Sequence, residues 1–417
     1  MIGKSVLNSL KWNTLSRAFS SLISLAILLF TSFKFGIEEV GLFGILMVIG
    51  KFVEVSTDFG FSQYGIVWLS STDRKLNYLK INILLKTLIK QKLIFCLLII
   101  PIYFIVITLV FKISIILVLF SLLYFLLLGV ETSIGGIFEY LKKFSIISIS
   151  WFISSIIIIL AFSVDLFFHY IDSISVIFII LSFAILLQVI FLIFSIILYQ
   201  LKIKTTDNFD TILSSPDLKA PFSYFLFYLL GVSYTNIDKL VLMTFADLNL
   251  IGLYYFASRI ANFYEMIGSL LSRSLFPFMC ESFHRSYQIL KKNYLKAFGA
   301  LTLIGLLLIV TYAYFVNSIF QEYIDSVLIF SILIFAYTFR NISYLYGSLM
   351  SSQPKLQKVK IKSNILVMIT GLILMIILTK ILNIQGAAIS TLLVNILLLY
   401  IYIEEVKKYD RSLTNSF

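Results

Sequence analysis

Twelve apolar stretches follow one another along the chain, separated by short polar connectors. They run over residues 12–33, 40–66, 93–111, 114–138, 145–164, 174–199, 221–246, 250–276, 297–319, 324–350, 363–381 and 384–403. A helix needs about 20 residues to cross the ~30 Å hydrocarbon layer, and these stretches have that length. The alternation of a membrane barrel is absent. The pattern predicts an all-α polytopic membrane protein with twelve transmembrane helices. The first stretch follows Lys4 and Lys11; it is too long for a signal-peptide core and no small-residue cleavage pattern comes after it. It is expected to remain as the first span.

The connectors alternate in charge. One set carries Lys4 and Lys11, the run Arg74 to Lys92, Lys142 and Lys143, Lys202 to Lys219, Arg285 to Lys296, Lys355 to Lys362, and Lys407, Lys408 and Arg411. The other set holds only Lys34, Lys112 and Lys380, beside Glu38, Glu39, Asp165, Asp172, Asp247, Glu322 and Asp325. Basic residues collect in cytoplasmic loops, so both termini are expected in the cytoplasm. The composition of 60% hydrophobic and 13% charged residues excludes the soluble classes, and the net charge of +12 is accounted for by those loops rather than by nucleic acid. Cys96 and Cys280 lie in or beside apolar stretches, which argues against a disulfide framework.

The longest polar connector falls mid-chain, and its Ser214-Ser215-Pro216-Asp217 reads as a turn. It divides the sequence into an N-terminal six-helix bundle at 1–200, a cytoplasmic linker at 201–220 and a C-terminal six-helix bundle at 221–417. The halves look related. Gly41-Leu42-Phe43 recurs as Gly252-Leu253-Tyr254, an offset of 252 − 41 = 211. At that offset Ile49 meets Ile260, Phe52 meets Phe263, Glu54 meets Glu265 and Gly136 meets Gly347. An even number of spans separates the matches, so the repeats are expected to be parallel, related by an axis along the membrane normal.

Several chemistries lack their residues. Gly44…Gly50-Lys51-Phe52 is one residue too long for a phosphate loop and has Phe52 where a magnesium-binding hydroxyl belongs. His169 and His284 stand apart in loops, without metal-ligand spacing. The outward connectors are too short to house a catalytic domain. The reading is a non-enzyme with no cofactor and no metal site.

Charges inside the apolar stretches are what remains, and these are costly unless they face a partner or a wet cavity. The cations are Arg17, Lys51, Lys239, Arg259 and Arg340; the carboxylates are Glu54, Asp58, Glu131, Asp238 and Glu265. Lys51, Glu54 and Asp58 share one helical face at i, i+3 and i+7. Asp238 and Arg259 lie 8 and 9 residues from the outer ends of their stretches, a similar depth at which they could pair. Two readings stand. The charges are register-fixing ion pairs and snorkelling side chains, Arg17 among the latter. Or the deep cations Lys51, Lys239, Arg259 and Arg340 line a cavity for an anion such as a phosphate or pyrophosphate, with Glu54 and Glu265 balancing that charge or taking up a coupling ion.

The stretch YTNIDKLVL…IGLYYFASRI, Tyr234 to Ile260, resembles the seventh and eighth spans of polysaccharide flippases of the multidrug/oligosaccharidyl-lipid/polysaccharide exporter superfamily. Glu38–Ile66 is similar to that family's second span, Gly135–Ser150 and Tyr346–Asn364 to the loops entering the fifth and eleventh, and Ile384–Asn395 to the opening of the twelfth. The resemblance implies two six-helix bundles around a central cavity with alternating access. It implies an undecaprenyl-pyrophosphate-linked oligosaccharide as substrate, an O-antigen or capsule repeat unit, moved across a bacterial cytoplasmic membrane. Asp238, Lys239 and Arg259 carry over as cavity-region positions and Asp58 as the end of the second span. Two terminal helices of the fourteen-span lipid II flippases are absent, which speaks against a peptidoglycan role.

The expected partners are the lipid-linked oligosaccharide, membrane lipid, a proton or sodium ion as coupling ion, and other polysaccharide-assembly proteins, with no nucleic acid. Two alternatives remain in view, a cation-coupled multidrug exporter of the same superfamily and a non-transport scaffold for glycan-assembly enzymes.

Overall fold

The computed structural model describes residues 2–70, 99–110, 113–141, 143–203 and 219–414, and among them no residue is in a strand. The helices are α1 (Ile2–Phe35), α2 (Ile37–Asp58) and α3 (Phe61–Ser70), then α4 (Ile99–Thr108), which ends in a π-helical turn at Val106–Val110. They continue as α5 (Ile115–Tyr140), α6 (Phe144–Phe168), α7 (Ile174–Ile203), α8 (Lys219–Phe245), α9 (Leu248–Glu281), α10 (Phe283–Ile319), α11 (Ser326–Ser351) and α12 (Pro354–Thr414). Eight of the described helices are long and apolar enough to cross a membrane, so the protein is a multi-pass membrane protein.

Each expected span has a helix on it, with local departures. The second is broken at Phe59 and Gly60, whose φ values of 50° and 75° bend the chain from α2 into α3. The eighth is α9, helical throughout but less apolar than the eight. The eleventh and twelfth are both carried by α12, which folds back at Asn383 (φ 51°, ψ −134°). Gly386 makes that return tight: a Cβ there would overlap the Leu378 carbonyl oxygen. The basic run Arg74 to Lys92 and the turn at Ser214–Asp217 lie outside the described residues, as does most of the expected 201–220 linker.

The chain divides into two compact units. The first comprises Met1–Phe30 and Leu46–Thr235, the second Thr31–Ile45 and Asn236–Phe417. In the first, α5 packs on α3, α6 and α7. Gly129 and Gly136 of α5 permit this closeness: a Cβ on Gly129 would press on Thr57 and the Glu54 carbonyl, and one on Gly136 on the Ser62 backbone. Phe125 fills the space beside Gly50 and meets Phe178 of α7, both rings fully buried.

In the second unit α11 is central, packed on α9, α10 and α12. Tyr312 of α10 stacks on Phe330 of α11 at 3.9 Å. The amide of Asn341 locks α11 to α9, its Oδ1 accepting from the Gly268 N–H and its Nδ2 donating to the Tyr264 carbonyl, both at 3.0 Å. A buried amide so satisfied fixes helix register as well as adding stability.

Candidate functional site

In the first unit the predicted α2 face separates into two kinds of residue. Lys51 Nζ donates to both Glu54 oxygens, at 2.6 and 2.7 Å, and is about half exposed while Glu54 is mostly covered. Asp58 is buried and fully engaged: it accepts from the Ser62 N–H (3.1 Å), Ser62 Oγ (2.8 Å) and Ser133 Oγ (2.6 Å). A carboxylate at this sharp turn caps the start of α3 and ties it to α5. Its geometry is that of a brace.

Glu131 of α5 is buried as well. Its Oε1 accepts from Gln188 Nε2 of α7 at 2.9 Å, and Gln188 Oε1 in turn accepts from Ser154 Oγ of α6 at 2.7 Å. That second bond fixes which end of the Gln188 amide faces the carboxyl. Lys51 and Glu54 lie within electrostatic reach of Glu131. Gln188 escapes a sequence reading because a lone Gln in the apolar run of α7 has no spacing partner. The side chain of Arg17 lies outside the description.

The second unit gathers the rest. Asp238 and Lys239 are both buried on α8. Asp238 Oδ2 accepts from Tyr254 Oη of α9 at 2.7 Å, and Oδ1 accepts from the Lys239 backbone N–H at 2.9 Å. The Lys239 ammonium is looser, 3.3 and 3.4 Å from the two oxygens. Charge-assisted N–H···O bonds close to about 2.7–2.9 Å when the geometry allows, so this ammonium retains donor capacity. The expected pairing of Asp238 with Arg259 does not form: adjacent Lys239 and Tyr254, one packing layer away, take the carboxylate first. Arg259 lies within electrostatic reach of the Tyr255 hydroxyl.

Further along, Arg340 Nε of α11 meets Glu265 Oε1 of α9 at 2.9 Å, and Tyr344 Oη donates to the same oxygen while accepting from Arg340 Nε at 3.2 Å. The Tyr337 hydroxyl of α11 donates to Asn262 Oδ1 at 3.0 Å and lies within electrostatic reach of Asp238, Glu265 and Arg340. Polar groups of α8, α9 and α11 thus gather in the second unit, and Tyr254 and Tyr344 each donate to one of its carboxylates, contacts that residue type alone does not reveal.

The charge balance differs between the units. Among the candidate residues, Lys239, Arg259 and Arg340 stand with Asp238 and Glu265 in the second unit, and Arg17 and Lys51 with Glu54, Asp58 and Glu131 in the first. Equivalent Glu54 and Glu265 differ in partner, a neighbour on the same helix in one case and Arg340 of another helix in the second. Among the described residues no group of three or more His, Cys, Asp or Glu side chains has a metal-binding arrangement.

The chain matches the family model for polysaccharide biosynthesis proteins over residues 6–283. No curated protein matches it. Among solved structures it is similar to the lipid II flippase MurJ in an inward closed conformation, with a TM-score of 0.69 and 16% identity over 94% of this chain and 87% of that one. It is also similar to a multidrug resistance MATE family transporter of the MOP superfamily in an inward-facing conformation, with a TM-score of 0.60 and 13% identity over 95% of both chains. A third likeness is to the MATE transporter ClbM in complex with Rb+, with a TM-score of 0.57 and 14% identity over 100% of this chain and 98% of that one. At these identities the likenesses are of fold.

Proposed function

The chain belongs to the polysaccharide biosynthesis protein family, and from that premise we propose that it is a flippase for undecaprenyl-pyrophosphate-linked oligosaccharides. The substrate would be an O-antigen or capsule repeat unit, moved across the bacterial cytoplasmic membrane by alternating access. The reading takes twelve spans in two six-helix bundles with both termini cytoplasmic, supported by the one-sided distribution of Lys and Arg. The similarity to a lipid II flippase over 94% of the chain supports a lipid-linked substrate.

The observation that carries the proposal is the cation-rich set of charged residues on α8, α9 and α11. A pyrophosphate and its sugars cannot enter hydrocarbon unshielded. Lys239 supplies buried positive charge and Arg340 mostly covered positive charge, and the loose contact of Lys239 with Asp238 leaves ammonium donors for a phosphate oxygen. Arg259 would add to that charge, and Arg17 and Lys51 are the further cations of the proposal. Glu54, Asp58, Glu131, Asp238 and Glu265 fall in two roles: Asp58 braces, while the others balance charge or take up a coupling proton or sodium ion. Membrane lipid holds the prenyl tail, and other polysaccharide-assembly proteins would supply and consume the substrate.

The test is made in cells lacking the protein, by quantifying lipid-linked repeat units in each leaflet before and after restoring wild type, Lys239→Ala or Arg340→Ala. Wild type should clear a cytoplasmic-leaflet backlog, and the charge variants, present at equal level, should not. Absence of any backlog would end the glycan reading in favour of drug export, which the similarity to multidrug transporters supports. If every charge variant cleared the backlog, the protein would still flip its substrate and the site assignment would be wrong.

A further inference from the structure

A pocket of about 730 Å³ opens in the second unit, where the first turns of α9 and α11 meet the fold-back of α12. Its polar lining is Asp325, Ser331, Asn383 and Gln385, and its walls include Leu253 and Leu328. The volume lies in the range of small-molecule sites, which combine apolar walls with a few placed polar groups. Asp325, the residue before α11, makes no capping hydrogen bond with its side chain. Asn383 and Gln385 likewise make no side-chain hydrogen bond among the described residues, whereas Ser331 bonds its own helix, donating to the Val327 carbonyl. One exposed carboxylate and two exposed amides therefore border one hollow, accessible to an incoming ligand. Asn383 holds its position at φ 51°, a region that favours glycine, so the fold keeps a side chain there against a backbone preference.

The lining selects its ligand. No Lys or Arg lines the pocket among the described residues, so a phosphate would find no counter-charge and would meet the Asp325 carboxylate. A carboxylate with two amides offers acceptors and donors in the mixture that adjacent hydroxyl groups require. The aliphatic walls suit the C–H face of a sugar ring. We propose that this pocket is a sugar-binding subsite that receives uncharged residues of the transported glycan on the side the loop charges assign to the outside. It rests on the flippase reading for the identity of the glycan, but shares no lining residue with the charged groups of α8, α9 and α11.

The experiment uses the purified full-length protein and, as probe, the free oligosaccharide released by mild acid from the cells' own lipid-linked intermediates. Binding is followed by saturation-transfer NMR and by titration calorimetry. Wild type should bind the probe, and Asp325→Ala/Gln385→Ala should weaken it at least tenfold. Asn383→Gly, which removes the amide while easing the backbone, should weaken it severalfold without loss of thermal stability. No binding to wild type, or equal binding to all three proteins, overturns the subsite. Equal competition by glycerophosphoethanolamine also overturns it, since the pocket would then be a lipid-headgroup site. The leaflet measurement is independent: loss of probe binding in the variants without any backlog in cells lacking the protein would retain the pocket and reject the flippase, and the reverse pattern would do the opposite.

Discussion

Gly41 of α2 and Gly252 of α9 lie against each other, each over the backbone that precedes its counterpart. A Cβ on Gly41 would overlap the carbonyl oxygen of Leu248, and a Cβ on Gly252 would overlap that of Ile37. The pairs are equivalent under the sequence offset, because 41 + 211 = 252 and 37 + 211 = 248. Gly44 continues the relation: its nearest neighbour is the ring of Tyr255, its own equivalent at the same offset. Two related segments therefore meet through a local twofold relation, and the closest approach falls on glycine from both sides.

That crossing has no flexible partner. Gly41→Leu or Gly252→Leu would push one backbone off another, and overpacking costs on the order of 1–3 kcal/mol even where side chains can yield. We expect either variant to lower the thermal unfolding midpoint in detergent and to abolish transport. Gly299→Ala, with nothing within 4 Å of the added carbon, should leave both unchanged or raise stability slightly.

The helices were legible from sequence because lipid imposes one simple rule, an apolar run of sufficient length for each crossing. Gly41 and Gly252 stood out for a related reason: a shared offset survives where individual apolar matches mean little. The partners of the charges were not legible. Tyr254 Oη reaches Asp238 across two helices and Tyr344 Oη reaches Glu265 likewise, contacts set by packing angle rather than by spacing along one helix. The depth argument brought Asp238 and Arg259 to one level, but level says nothing about azimuth. Asp58 and Lys51, seven residues apart on one face, fell into different environments because the chain turns at Phe59.

Asp58 should prove a stability residue. Its carboxylate receives three hydrogen bonds while buried. Asp58→Ala leaves the Ser62 N–H and hydroxyl without their acceptor, at about 1–3 kcal/mol for each buried group left unsatisfied, while the Ser133 hydroxyl keeps the Gly129 carbonyl at 2.9 Å. Thermal unfolding should show a large drop, whereas Asp58→Asn, which retains one acceptor oxygen, should fall in between. If Asp58→Ala unfolds like wild type yet fails to transport, the brace assignment is wrong.

Glu265 and Arg340 should show coupling. Removing one member of a mostly covered ion pair strands the other, a loss that can reach about 3–5 kcal/mol in a fully buried pair. Arg340→Met should therefore destabilise more than the double variant Arg340→Met/Glu265→Gln, in which no charge is stranded. A double-mutant cycle on unfolding midpoints, or on denaturant titration in micelles, reads this directly. Additive losses would mean that the two side chains act independently despite their 2.9 Å contact.

Asp238 and Lys239 separate stability from transport. Asp238 is held by Tyr254 Oη and the Lys239 N–H as well as by the ammonium, so it keeps two donors when the ammonium is removed. Lys239 has no such reserve: its ammonium contacts are the two long ones to Asp238. Asp238→Ala should accordingly cost more stability than Lys239→Met, by roughly 1–2 kcal/mol, because it strands a buried cation. Transport should follow the opposite order of specificity. Lys239→Met, folded and present at normal level, removes the donor offered to the pyrophosphate and should stop clearance of the cytoplasmic-leaflet pool. Lys239→Arg should restore part of it, since a guanidinium also pairs with phosphate though with different reach. A ranking in which Lys239→Met transports normally while Asp238→Ala is the less stable would leave the pair a purely structural clasp on α8.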